Sequence, residues 1–224
     1  MMIKVVRYFY YLLILLYIFS AGKPKEGLLV IPGLGSKERL NIVENNLKLL
    51  LNKLNGTAPT WDCIVYVYAP RNEPIASSSF WSEKSIYNFL SSLCEIVENP
   101  FKLVTENLYM VQPALLKYGY QYIFILLDDC ELMGTPYFDL DKILYLMEYN
   151  RLTVASPLVQ LPNVVGGGQQ FRNIIQTERQ PGTEGYSSVY IEIFACVMTV
   201  PAYEALWRLL CPAVNPFGWG YDFW

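Results

Sequence analysis

Six consecutive residues in the middle of the chain, Tyr122-Ile123-Phe124-Ile125-Leu126-Leu127, are apolar and stop abruptly at Asp128-Asp129-Cys130-Glu131. Side chains alternate between the two faces of an extended strand, so a run without a polar position needs cover on both sides. Such a strand belongs at the centre of a mostly parallel sheet with helices above and below. Three carboxylates in the next four residues then stand where that strand leaves the sheet.

The rest of the sequence supplies the alternation that this architecture needs. Leu28 to Ile31 reads as a short buried strand closed by the turn Pro32-Gly33-Leu34-Gly35. Ser36 can cap a helix whose apolar residues Leu40, Ile42, Val43, Leu47, Leu50, Leu51 and Leu54 recur at helical spacing. A second strand runs from Cys63 to Tyr68, helical periodicity returns from Phe80 to Leu93, and a short strand covers Cys94 to Val97. Phe101 to Tyr118 reads as a helix interrupted at Pro113. After the central strand come a helix from Asp139 to Tyr149, a strand at Leu152 to Ala155, a strand candidate from Tyr190 to Val200, and a helix from Pro201 to Leu210. The expected fold class is α/β, three-layered, with a mostly parallel central sheet.

With 224 residues, the chain suits one domain plus an appendage. A hydrophobic content of 53% against 17% charged residues supports a sizeable core. The net charge of -3 offers no footprint for a nucleic acid backbone, so nucleic acid is not an expected partner. The sequence contains 0 histidines, which excludes Ser-His-Asp and Cys-His mechanisms and histidine-ligated zinc for these residues. Its 5 cysteines have no Cys-x-x-Cys spacing, so at most one or two bridges are expected and no thiolate metal site.

Residues 1–23 read as a targeting segment, leaving 24–224 as the folded domain. Lys4 and Arg7 precede an uncharged stretch from Tyr8 to Gly22. At ~1.5 Å per residue this stretch spans roughly 22 Å, short of a ~30 Å hydrocarbon core unless flanking residues extend it. Length leaves a signal peptide and a signal anchor both open. Ser20-Ala21-Gly22 suits cleavage, whereas the crowded tyrosines favour an uncleaved membrane anchor. Either sends the domain into the secretory lumen, as a single-pass type II protein of the Golgi or endoplasmic reticulum or as a secreted one. Asn55-Gly56-Thr57, a glycosylation acceptor in a polar break, agrees with that destination.

Ligands of open α/β sheets gather beyond the carboxyl ends of the strands, which makes Asp128, Asp129 and Glu131 the leading candidates. If the segment stays extended, Asp129 and Glu131 face one way and Asp128 the other. Two carboxylates on one side suit a hard divalent cation, manganese or magnesium, that grips a diphosphate. Adjacent like charges at a buried strand end also need a cation or cationic group to offset their repulsion. Gly33 and Gly35 would let the backbone approach a nucleotide. Gly166-Gly167-Gly168 is either a loop over the site or an exposed linker, and Glu192 is either a sheet-edge residue or a second carboxylate toward the ligand.

Several blocks carry a resemblance. Leu29 to Leu54, Tyr120 to Leu132, Leu152 to Leu158, and Glu192 to Trp207 leading to Gly218-Trp219-Gly220-Tyr221-Asp222 resemble a eukaryotic family labelled domain of unknown function. Its plant members carry the name lysine-ketoglutarate reductase trans-splicing related. That family is in turn similar to nucleotide-sugar glycosyltransferases of the GT-A fold, in which an Asp-x-Asp motif after a strand binds metal and donor. Asp129-Cys130-Glu131 is the local version, with Glu in place of the second Asp. By the same resemblance Trp219 is an acceptor platform and Asp222 the base that takes the acceptor proton. Many enzymes of the fold add a histidine ligand further on. None follows here, and three expectations stay open: a chain cut short after Trp224, another ligand in its place, or lost activity. The resemblance implies transfer of a sugar from a nucleoside diphosphate donor to a glycan or other hydroxyl acceptor. A catalytically inactive glycan- or nucleotide-binding module of the same fold is the alternative.

Overall fold

The computed structural model describes residues 26–51, 60–67, 84–99, 102–133, 138–157, 193 and 195–216. The targeting segment, Glu192, Trp219, Asp222 and the Gly166–Gly168 stretch lie outside the described residues. Among the described residues no helix is long and apolar enough to cross a membrane.

In chain order the elements are β1 (Gly27–Leu34), α1 (Lys37–Leu51), β2 (Trp61–Val67), α2 (Lys84–Leu93), β3 (Glu95–Glu98), α3 (Val104–Met110), α4 (Pro113–Leu116), β4 (Tyr122–Leu126), α5 (Leu140–Asn150), β5 (Val154–Ala155), β6 (Ala195–Thr199) and α6 (Val200–Leu209). The strands form one sheet in the order β3-β2-β1-β4-β6-β5. The ladders β3-β2, β2-β1 and β1-β4 are parallel, whereas β6 is antiparallel to both of its neighbours. The expected α/β architecture with a mostly parallel sheet is therefore present.

Each face of the sheet has its own core, and strand alternation divides the residues between them. Leu29, Ile31, Val65, Phe124, Leu126 and Val197 turn toward Val43 and Leu47 of α1, Leu90 of α2 and Met147 of α5. Leu28, Val30, Tyr66, Ile123, Ile125 and Met198 turn toward Leu108 of α3, Leu116 of α4, and Tyr203 and Leu206 of α6. The central strand meets its requirement: Ile123, Phe124, Ile125 and Leu126 are all fully buried. Tyr203 is buried as well, and its hydroxyl finds the Leu108 carbonyl at 2.8 Å, which ties α6 to α3.

The structure refines the sequence reading at three elements. Pro32 does not end β1. The strand continues to Leu34 through a shift in register, with Ile31 opposite Val65 but Leu34 opposite Val67. A proline cannot donate to a ladder, so a central strand accommodates one at such an irregularity. The Pro32 carbonyl is instead taken by the buried Asn107 side chain of α3, whose Nδ2 donates at 2.8 Å. Pro113 divides its region into two helices by starting the second at its first turn, where a missing N–H costs nothing. The strand expected from Tyr190 is described only over Ala195–Thr199, after which Thr199 caps α6.

Two contacts fix the other half of the sheet. Gly27 lies so close to the Trp61 ring of β2 that an added Cβ would collide with it. Cys63 and Cys94, both buried and 4.5 Å apart between Cα atoms, form a disulfide. Ile64 stands opposite Glu95, so the bridge joins the positions directly before that pair and staples β2 to β3. A crosslink over a sequence separation of 31 residues is worth about 3–4 kcal/mol in the chain-entropy account. Replacing Cys63 and Cys94 together by alanine should lower stability by about that amount. Urea unfolding with and without reductant checks it, since reductant should shift the wild-type midpoint and leave the double variant's unchanged.

Candidate active site at the carboxyl edge of the sheet

The chain leaves β1 for α1 and β2 on one side of the sheet, and leaves β4 for α5, β5 and β6 on the other. The strand order therefore reverses direction between β1 and β4. In an open α/β sheet that switch point opens a crevice at the carboxyl ends, the usual place for a ligand. Here that position is flanked by the β1–α1 turn and by the acidic segment after β4.

The acidic segment does not stay extended. The Cys130 N–H donates to the Leu127 carbonyl at 3.2 Å, closing a turn with Asp128 and Asp129 at its corners. The turn still separates the carboxylates as the alternation argument required: Asp128 is 3% exposed, whereas Asp129 and Glu131 are exposed. Both Asp128 oxygens are engaged. Oδ1 lies 2.7 Å from Arg39 Nη1, and Oδ2 accepts the Gly35 N–H at 3.1 Å. Arg39 Nη2 lies 3.5 Å from Asp129 Oδ2. The cationic group that offsets the two adjacent aspartates is thus a guanidinium from the first turn of α1.

Burial is the largest influence on Asp128 and raises its pKa above the ordinary carboxylate value. The Gly35 N–H and Arg39 act against it, and Asp129 adds to it. The Cys130 thiol is pushed up to about 12, first by burial and then by the two aspartates. At neutral pH it is a protonated thiol, which removes it as a nucleophile.

The candidate residues therefore separate into distinct roles. Asp128, Gly35 and Arg39 come together in one cluster. The Gly35 N–H is taken by Asp128, and Gly33 is buried within β1. Asp129 and Glu131 remain as carboxylates open to solvent. Their oxygens are hard donors, the type that manganese and magnesium take through one or two carboxylates plus waters and substrate phosphates. Among the described residues no group of three or more potential metal-ligating side chains is assembled.

Two residues of this edge escaped the sequence reading. Arg39 lies within the Leu29 to Leu54 block that carries the resemblance, and the switch-point rule sets the start of α1 beside the end of β4. Asn46 is 1% exposed on the apolar stripe of α1, three residues after Val43 and four before Leu50. Its Nδ2 donates to the Cys130 carbonyl at 2.7 Å and its Oδ1 accepts the Leu132 N–H at 2.8 Å. A polar residue inside an apolar stripe is the signal that could have found it.

Fold and edge together define a doubly wound α/β protein with an acidic segment at its switch point. No family model matches the chain, and no curated protein matches it. Among solved structures, mouse xyloside xylosyltransferase 1 in its apo form is similar at 12% identity with a TM-score of 0.38, over 82% of this chain and 71% of that one.

Removing Arg39 leaves Asp128 buried without its counter-charge. A fully buried broken pair costs about 3–5 kcal/mol, and the 38% exposure of the Arg39 side chain brings Arg39→Ala to about 1–3 kcal/mol at pH 7. The sign with pH follows from the raised pKa of Asp128. The folded state holds this proton more tightly than the unfolded state, so the group weakens the fold as pH rises through its folded pKa. Arg39→Ala raises that pKa further, so its penalty should shrink as pH falls toward 4. Urea unfolding of both proteins across that range measures it.

Proposed function

We propose that the protein is a metal-assisted glycosyltransferase that moves a sugar from a nucleoside diphosphate donor to a hydroxyl acceptor. The observation that carries this reading is the pair of solvent-facing carboxylates, Asp129 and Glu131, presented at the β1/β4 switch point by a buried framework. The resemblance of the Asp129-Cys130-Glu131 segment to the Asp-x-Asp motif adds to it.

In this reading Asp129 and Glu131 would hold manganese or magnesium, which neutralises the departing diphosphate when bound. Asp128 acts through its partners, fixing the Gly35 turn and the Arg39 guanidinium. Arg39, held between Asp128 and Asp129, lowers the negative charge that a diphosphate would meet at this edge. Trp219 as acceptor platform and Asp222 as general base are assigned from the sequence resemblance. The Cys63–Cys94 disulfide supports an oxidising compartment, in keeping with the leader of residues 1–23 and a Golgi, endoplasmic reticulum or secreted location.

One observation favours the alternative, a glycan- or nucleotide-binding module without catalysis. Arg39 already offsets Asp128 and Asp129, so the edge is electrostatically tolerable without a metal.

Thermal unfolding of the full chain with manganese and a panel of sugar nucleotides tests the reading. A donor at about 100 times its Kd stabilises by ~2.7 kcal/mol, a shift of a few degrees in a domain of this size. Asp129→Asn should abolish the manganese-dependent part of that shift while changing the ligand-free stability by about 1 kcal/mol or less. No shift with any nucleotide sinks the proposal. Binding without release of nucleoside diphosphate in the presence of acceptors selects the module instead.

A further inference from the structure

We infer that Asn46 is a positioning residue that sets Glu131 for the cation, an inference that rests on the carboxylate reading above. Cys130 to Leu132 belongs to no strand, yet its backbone is held as a strand neighbour would hold it. The two groups engaged by Asn46, the Cys130 carbonyl and the Leu132 N–H, belong to the residues on either side of Glu131. Glu131 is thereby fixed through its main chain while the residue itself stays exposed, as Asp129 does.

The choice of side chain points the same way. A leucine at this position would continue the stripe of Leu40, Val43, Leu47 and Leu50 and bury more apolar surface. Asparagine is tolerated there only because both ends of its amide are satisfied. It offers one donor and one acceptor in a single planar fork, the pair that an exposed loop of this geometry requires. Alanine and leucine can supply neither, and serine has a single oxygen in place of the two separate atoms of the fork. A ligand whose backbone is already held loses less freedom on binding, and outer partners of this kind commonly change metal affinity by about 10–100-fold.

The test is manganese alone, titrated into the full-length wild-type chain and the Asn46→Ala and Leu206→Ala variants by calorimetry. Leu206 lies in the opposite core, so its truncation lowers stability without touching the edge. Asn46→Ala should weaken manganese binding about tenfold or more, and Leu206→Ala should leave the Kd unchanged while lowering the melting temperature. Folded Asn46→Ala with wild-type manganese affinity overturns the positioning role and leaves the carboxylate reading standing. A wild-type chain that does not bind manganese overturns both. Amide exchange of the wild-type chain tests the clamp without any variant. The Leu132 N–H should be protected like a strand amide, and exchange at the rate of an open loop overturns the inference even if Asn46→Ala fails to fold.

Discussion

One carboxylate organises the carboxyl edge of this sheet. A charge as buried as that of Asp128 is tolerable only where each oxygen finds a partner, and the partners come from a distant part of the sequence. That requirement draws the β1–α1 turn against the end of β4 and decides what the neighbouring residues can do. Gly35 is held, Arg39 is oriented across two aspartates, and Asp129 is left outward at the other corner of the turn. The catalytic proposal and the inactive alternative both begin from this arrangement. They differ in whether the outward carboxylates have work beyond balancing a guanidinium.

What the sequence revealed follows from how each feature is encoded. The run from Ile123 to Leu126 is buried on both faces because its own composition leaves no other choice, and the α1 stripe is visible in its spacing. Asp139 capping the helix that follows it is a local signal of the same kind. Contacts made across long separations were not visible. Arg39 and Asp128 are 89 residues apart, and Asn46 and Cys130 are 84 apart. Neither pairing has a local signature, although Asn46 interrupts a stripe. The same holds for Pro32, whose place inside a strand depends on Asn107 receiving its carbonyl, and for the reversed direction of β6, which no periodicity records. The roles assigned to Trp219, Asp222 and Glu192 remain those implied by the sequence, because these residues lie outside the described part of the structure.

The sheet is also held differently on its two sides. Toward β3 a covalent bridge between Cys63 and Cys94 joins neighbouring strands near their amino ends. Toward β6 the closure is noncovalent. It comes from an antiparallel ladder pairing all five residues of β4 with β6, and from the Tyr203 hydroxyl that locks the following helix onto the end of α3. The switch point lies between a stapled half and a packed half.

The short outer strands bear on the behaviour of many copies together. An unpaired strand edge is a template for another chain, and with 53% hydrophobic residues this sequence has ample material for such pairing. The sheet as described ends on one side in β5, only 2 residues long. On the other it ends in β3, 4 residues with a glutamate at each end. Among the described residues, neither border offers the long, flat, uncharged ribbon on which strands of separate molecules accumulate. The apolar strands that make the fold are confined to the interior of the sheet, where their hydrogen bonds are already taken, and the strands at the border are too short or too charged to recruit a neighbour.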